Sequence, residues 1–351
     1  MTVGELVQHT AKRLAAPELL SEDPQQEAQE LVAHALGLLP AELPDRWQSA
    51  LDSVHHGEFM RLLSRRLNAE PTGYIVGAVE LLGLRFKVDR RGFIPRLDLP
   101  VLINAALERA APEVSGFALD LACGIGAAGI CVARARPGLR VDLTDVSTEA
   151  IELARENAER LIPGRALCFA GDLFEPLSRG RRYAIVTANP PWVPDGTELP
   201  EEVINHEPAV SFFGGPDGLD VVRRLVRELP EWLSEGGAYA QECDPSQVDS
   251  TVARVFKEVA AVRNTPLTGE QMTRIRSYYQ RELDRSSQDN GYFLNQIVRH
   301  YDAGEPLTRD VVSEQAAEIK ALTGDAVTQA AFRYLDPARY VRVTLMPETV
   351  R

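Results

Sequence analysis

Through residues 1–72 the apolar positions return at helical spacing with charged residues between them, as in EAQELVAHALGLLP (Glu27 to Pro40). Pro40 and Pro44 are expected to close helices, so this stretch predicts a small helical domain. The period then changes. In YIVGAVELLGLRFKVDRRGFIP, from Tyr74 to Pro95, Gly83 and the turn Asp89-Arg90-Arg91-Gly92 bracket a strand alternating through Leu84, Phe86 and Val88, which predicts a β-hairpin linker over 73–96.

From 97 to 262 strand-like runs (FALDLA, RVDLTD, ALCFAG, YAIVTA, GAYAQE) alternate with helical ones such as STEAIELARENAERL and GLDVVRRLVRELPEWL. That alternation predicts an α/β domain with a largely parallel sheet covered on both faces, its ligands at the carboxyl ends of the strands. The remainder, 263–351, reads as an α+β appendage. It has helical patterns in GEQMTRIRSYYQRELDRSSQDNGYFLNQIVRHYDAG and SEQAAEIKALTGDAVTQAAFRYL, then a strand, YVRVTLMPE. A lone strand edge needs a partner, in the α/β domain or in a second copy of the chain.

The fourth strand raises a chemical question. IVTANPPW stops on Asn189, Pro190, Pro191 and Trp192, and two prolines end any sheet ladder and leave carbonyl groups without regular partners. The composition narrows the answer. Lys plus Arg number 38 against 51 Asp plus Glu, a formal net charge of -13, whereas a nucleic-acid partner calls for a basic face. The four cysteines form no CxxC pair and the six histidines show no ligand spacing, which fits a reduced, cytoplasmic, metal-free protein. MTVGELVQHTAKRL has no signal-peptide core, and no apolar segment is long enough to span a membrane.

The first strand of the α/β region runs into DLACGIGAAG, Asp120 to Gly129. From Gly124 it reads GxGxxG, and Asp145 follows about 20 residues on, placed to take ribose hydroxyls. That pattern alone suits a dinucleotide equally well. Three features turn it towards S-adenosylmethionine: Asp120 ahead of the glycines is awkward beside a pyrophosphate but can organise a loop for an ammonium-bearing group. Asp172, in Gly171-Asp172-Leu173-Phe174, can accept from an adenine amino group, and NPPW has no task in hydride transfer.

In this ordered set the chain resembles the HemK/PrmC-type glutamine N5-methyltransferases, which act on peptide-chain release factors. The resemblance covers roughly residues 20–250 and rests on YIVGAVELLGLRF, FIPRLD, LDLACGIGA, DVSTEAIELARENA, GDLFEPL, NPPW and EPAVSFFGGPDGLD. It implies a class I, Rossmann-like methyltransferase sheet, with the helical domain facing the substrate. Asp120, Ala122, Gly124, Gly126, Asp145, Val146, Asp172, Leu173 and Asn189 are then the expected cofactor-site residues. An amide nitrogen is a poor nucleophile until its lone pair is aimed at the sulfonium methyl. Asn189 and the Pro190 carbonyl are expected to accept its two N–H groups, with Trp192 against its plane.

The chain also departs from the family. Trp192 stands where the family has Tyr, Leu99 and Pro100 replace a Thr-Glu pair, Ala209 replaces an Arg after Glu207-Pro208, and Ala122 replaces a common glycine. The appended segment resembles the closing part of an insulinase/pitrilysin-type zinc-protease domain, without an HxxEH motif, and is expected to mediate homodimerisation. Trp is the best side-chain face for a cation, and acids follow it. On that ground the favoured acceptor is a small amino-acid-like molecule such as the guanidino group of free arginine, held by Pro191, Trp192, Glu201, Glu202, His206 and Glu207. The alternatives are a release-factor glutamine, an adenine amino group, or a silent binding protein.

Overall fold

The computed structural model describes residues 1–16, 19, 21, 23–248, 268–287 and 311–334. These belong to two compact units, Met1–Gln247 and Val248–Arg351.

The first unit begins with helices α1 (Val3–Leu14), α2 (Pro24–Ala35) and α3 (Ser53–Leu67). Their starts follow from side chains that satisfy the first free N–H groups: Thr2 and Glu5 form a reciprocal capping box, and Asp23 and Asp52 each accept two N–H bonds. Each such cap is worth about 1 kcal/mol. The apolar stripes meet in one cluster through Val7, Leu31, Phe59 and Leu62. Pro40 and Pro44 do more than close helices. Both lie within a 3₁₀ segment, Pro40–Arg46, because a tight turn tolerates their missing N–H groups.

The linker opens differently from its pattern. Thr72–Val76 is a short helix, α4, ended by Gly77 in the left-handed conformation at φ 71. Only then does the hairpin follow, β1 (Ala78–Leu81) antiparallel to β2 (Leu84–Lys87). Five residues are too few to show a helical period, and Ile75 and Val76 read as strand.

Helix α5 (Leu99–Arg109) leads into alternating β3 (Gly116–Leu121), α6 (Ala127–Ala135), β4 (Leu139–Asp145), α7 (Thr148–Leu161), β5 (Ala166–Ala170) and β6 (Tyr183–Ala188). Helices α8 (Glu201–His206) and α9 (Asp220–Glu228) precede β7 (Leu233–Gln241). The five strands lie in the order β5-β4-β3-β6-β7, all parallel. Successive residues of β3 feed opposite faces: Ala118 joins the cluster with Ile103, Ile130 and Val141, while Leu119 and Leu121 join Val186, Leu225 and Trp232. The helical pattern through Leu233 is cut short, since Pro230 falls in a 3₁₀ turn, Leu229–Glu231, and β7 starts two residues later.

Strand order reverses between β3 and β6. In an open parallel sheet that reversal opens a crevice at the carboxyl ends, where ligands bind. Asn157 on α7, fully buried, ties the hairpin to this edge. Its Oδ1 accepts from the Lys87 N–H at 2.8 Å, and its Nδ2 donates to the carbonyls of Lys87 and Ile125 at 3.0 and 3.2 Å.

In the second unit the described residues form helices Gly269–Ser286, Val311–Ala321 and Gly324–Tyr334. The single helical pattern from Ser313 onward is therefore two helices, the second started by Thr323, whose hydroxyl accepts from the Ala326 N–H at 3.1 Å. The expected strand at 340–348 lies outside the described residues, as does the strand-edge pairing expected to dimerise the chain. Among the described residues no helix is long and apolar enough to cross a membrane.

Candidate active site

The crevice is built from three strand ends and the segment that follows β6. After β3 the chain turns sharply through Ala122 (φ 51), Gly124 (φ 53) and Gly126 (φ 82) into α6. Gly129 lets that helix lie against the sheet, for a side-chain carbon there would stand 2.5 Å from Leu143 and 2.8 Å from Asp120.

Asp120, expected near the cofactor, is turned inward. It is 2% exposed, and its two carboxylate oxygens accept from the Gly129 N–H and the Thr187 hydroxyl, each at 2.8 Å. Burial pushes its pKa up to about 7, against the lowering effect of those two bonds. Asp120 thus joins the glycine turn to β6 from behind, and its contacts are those of a strut.

Asp145 ends β4 at the mouth of the crevice. Its Oδ2 accepts from the Gly124 N–H at 2.8 Å and its Oδ1 from the Ser147 N–H at 2.9 Å. Burial raises its pKa, and hydrogen bonds from the backbone N–H groups of Ser147, Gly124 and Val146 offset part of that rise. Val146 beside it is 58% exposed, an apolar surface at a strand end. After β5, Leu173 is buried with φ 48, and Asp172 accepts from Arg224 of α9 at 2.6 Å.

Two carbonyls at the end of IVTANPPW find separate partners. The Ala188 carbonyl accepts from the Glu242 N–H at 3.0 Å, the last rung between β6 and β7. The Trp192 carbonyl accepts from Gln247 Nε2 at 2.8 Å, and Gln247 also holds the Asp217 carbonyl at 3.0 Å. Gly218 passes so close that a side-chain carbon would fall 2.0 Å from the Trp192 oxygen. Among the described residues nothing donates to the Pro190 carbonyl. Pro191 continues the turn, and Trp192 packs with Phe93, Val193, Val203 and Phe212.

The acids that follow Trp192 have separate settings. Glu207 has a side chain 1% exposed and accepts from the Ile94 N–H and the Arg96 guanidinium. Glu202 accepts from Arg66 at 2.9 Å, and that fully buried arginine also bonds Glu27 at 2.8 Å. His206 Nδ1 faces Arg90 at 3.4 Å, and Glu201 is exposed on α8. Glu202 and Glu207, two of the charges expected to neutralise a cationic substrate, are therefore engaged by the protein's own arginines.

Glu242 and Gln247 were not among the expected site residues. Glu242 follows β7 and lies beside Asn189, and burial, with Asp98 nearby, pushes its pKa up to about 7 against the lowering effect of the Asn189 side chain. Its place at the carboxyl end of the strand next to β6 was the available signal.

Comparison with known proteins defines the chemistry. The PrmC N-terminal domain family matches residues 5–77 and the Methyltransferase small domain family matches residues 101–209. The chain is 34% identical to the release factor glutamine methyltransferase of Moorella thermoacetica over 80% of this chain and 100% of that protein. It is 34% identical to a ribosomal protein uL3 glutamine methyltransferase of Xylella fastidiosa, over 74% of this chain and 84% of that one. A release factor glutamine methyltransferase of Geobacter sulfurreducens is 36% identical over 64% of this chain and 79% of its own. The favoured acceptor, free arginine or another small guanidino compound, is corrected by these relatives, which are named for protein glutamine.

The residues fit S-adenosylmethionine. An open glycine turn, with nothing within 4 Å of a side-chain carbon at Gly124, faces a part-buried carboxylate at Asp145 and an exposed apolar Val146. That combination suits a cationic amino-acid part, a ribose diol and an adenine face. The chain belongs to the PrmC/HemK-type family of S-adenosylmethionine-dependent N-methyltransferases.

Proposed function

We propose that the chain methylates the side-chain amide nitrogen of a glutamine in a protein of the translation machinery, with a release factor as first substrate. The observation that carries this reading is the match to the Moorella release factor enzyme over that protein's whole length. The pairing of Glu202 with Arg66 and of Glu207 with Arg96 supports it, because a neutral amide needs no counter-charge. A ribosomal uL3 glutamine is the second reading, favoured by relatives of that name at the same 34% identity.

Bound S-adenosylmethionine supplies a methyl group on a positively charged sulfur. The work of this chain is then orientation. Asn189 Oδ1 accepts one amide N–H and the Pro190 carbonyl the other, which fixes the nitrogen and favours a more pyramidal geometry. Trp192 lies against the flat amide where the family has a tyrosine. With S-adenosylmethionine bound, the nitrogen held by Asn189 and Pro190 would take the methyl group as one amide proton passes to solvent, the pair of the broken bond remaining on sulfur. Asp145 would hold the ribose hydroxyls, and Val146 and Leu173 would hold the adenine.

The test is a mass-spectrometric methylation assay offering a Gly-Gly-Gln release-factor domain and uL3 with the full chain. A gain of one methyl on the release-factor glutamine, lost in Asn189→Ala with unchanged cofactor affinity, is the expected result. Methylation of uL3 alone would reverse the two readings, and methylation of neither would overturn both.

A further inference from the structure

The Asn189 side chain can meet an amide acceptor in two ways, and only one is productive. With its oxygen forward it accepts an N–H of the substrate. Flipped, it offers N–H donors to an N–H group, which repels. Something must fix the choice.

Glu242 stands where that choice is made. The register Ala188 opposite Gln241 and the bond from the Glu242 N–H to the Ala188 carbonyl at 3.0 Å place Glu242 directly beside Asn189. The Asn189 side chain acts on the Glu242 carboxyl in the direction that favours its ionised form. An ionised carboxylate can only accept. In that form it can take an N–H only from Asn189 Nδ2, which leaves Oδ1 for the substrate.

We infer that Glu242 is the positioning residue for transfer, holding the Asn189 amide in the one orientation that accepts an N–H from the methyl acceptor. The inference rests on the glutamine reading above. Two charged groups face Glu242 from the linker before α5: Asp98, which disfavours its ionised form, and Arg96, which favours it. Arg96 is in turn held by Glu207 and stacked 4.7 Å from the centre of the Phe93 ring. Burial is the larger effect and Asp98 adds to it, which pushes the carboxyl up to about 7. A protonated Glu242 can donate to Oδ1 and compete for it, so the orienting contact strengthens as pH rises.

The experiment uses the full chain, S-adenosylmethionine and the glutamine substrate that the wild type accepts. Glu242→Ala should lower kcat about 10²-fold, the scale for loss of one preorganised polar contact, with cofactor Kd within about twofold of the wild type. Glu242→Gln, whose carbonyl still accepts from Asn189, should keep kcat within about tenfold and lose the rise in kcat with pH. A second readout needs no acceptor. The Asn189 side-chain amide resonances, identified by their absence in Asn189→Asp, should shift as pH passes through about 7 in the wild type. They should stay fixed in Glu242→Gln. If the wild-type resonances do not move, or both variants lose activity equally with an unchanged pH profile, the inference is overturned. Failure of the wild type on every glutamine substrate overturns the glutamine reading instead, and the resonances then decide the Asn189–Glu242 contact by themselves.

Discussion

Replacing Asp120 with asparagine should change how stability depends on pH more than it changes stability itself. Asp120 is 2% exposed, with both oxygens bonded inside the protein, and burial lifts its pKa from 3.8 to about 7. The fold therefore holds the proton more tightly than the unfolded chain does. The resulting stabilisation is fully present below about pH 4 and is lost as pH rises through about 7. At about 1.4 kcal/mol per pH unit the difference amounts to about 4 kcal/mol at most, a large part of an ordinary domain's stability. In Asp120→Asn the amide oxygen still accepts from the Gly129 N–H. Its NH₂ can donate to Thr187, whose hydroxyl already lies 3.4 Å from the Leu119 carbonyl and can turn to it. The bonds survive and the titration disappears. Urea unfolding of both proteins at about pH 5 and about pH 8 isolates this residue, because other groups contribute equally to both proteins and cancel in the difference. The wild type should lose about 2–3 kcal/mol more than the variant over that range, and parallel pH profiles would refute the reasoning.

Two further outcomes follow from geometry. Ala122 sits at φ 51, where an L-residue is strained by about 1–2 kcal/mol, so Ala122→Gly should raise Tm after an entropic offset of about 0.4–1 kcal/mol; a lower Tm would reject the strain. Arg66→Met should destabilise the first unit by about 3–5 kcal/mol in urea unfolding, because it leaves Glu27 and Glu202 without their buried cation. A loss under about 1 kcal/mol would show the pairing to be dispensable.

The strand–helix alternation and the glycine turn were legible because each depends on residues close together in the chain. IVTANPPW and DLACGIGAAG carry their own geometry: a locked proline φ in the first, and in the second a close helix approach at Gly129. What escaped the sequence reading depends on distance. Glu202 and Glu207 looked available for a cation because their partners, Arg66 and Arg96, stand 136 and 111 positions away. The bond of Asp120 to Thr187, 67 positions on, is likewise beyond the reach of local pattern, whereas its hold on the glycine turn was expected. Short elements failed differently: α4 is shorter than two helical turns, and the break at Thr323 is a capping event that an otherwise continuous apolar pattern hides.

The buried guanidinium of Arg66 also sets the rules for exchanging parts between relatives. It belongs to α3, and its two carboxylates come from α2 and from α8, beyond the Asn-Pro-Pro-Trp turn. A chimaera that takes its helical segment from one parent and its catalytic sheet from another inherits this triad as a unit or inherits a stranded charge. Substrate range in such hybrids is thus limited first by whether that interior seam closes, before any residue at the crevice is tried.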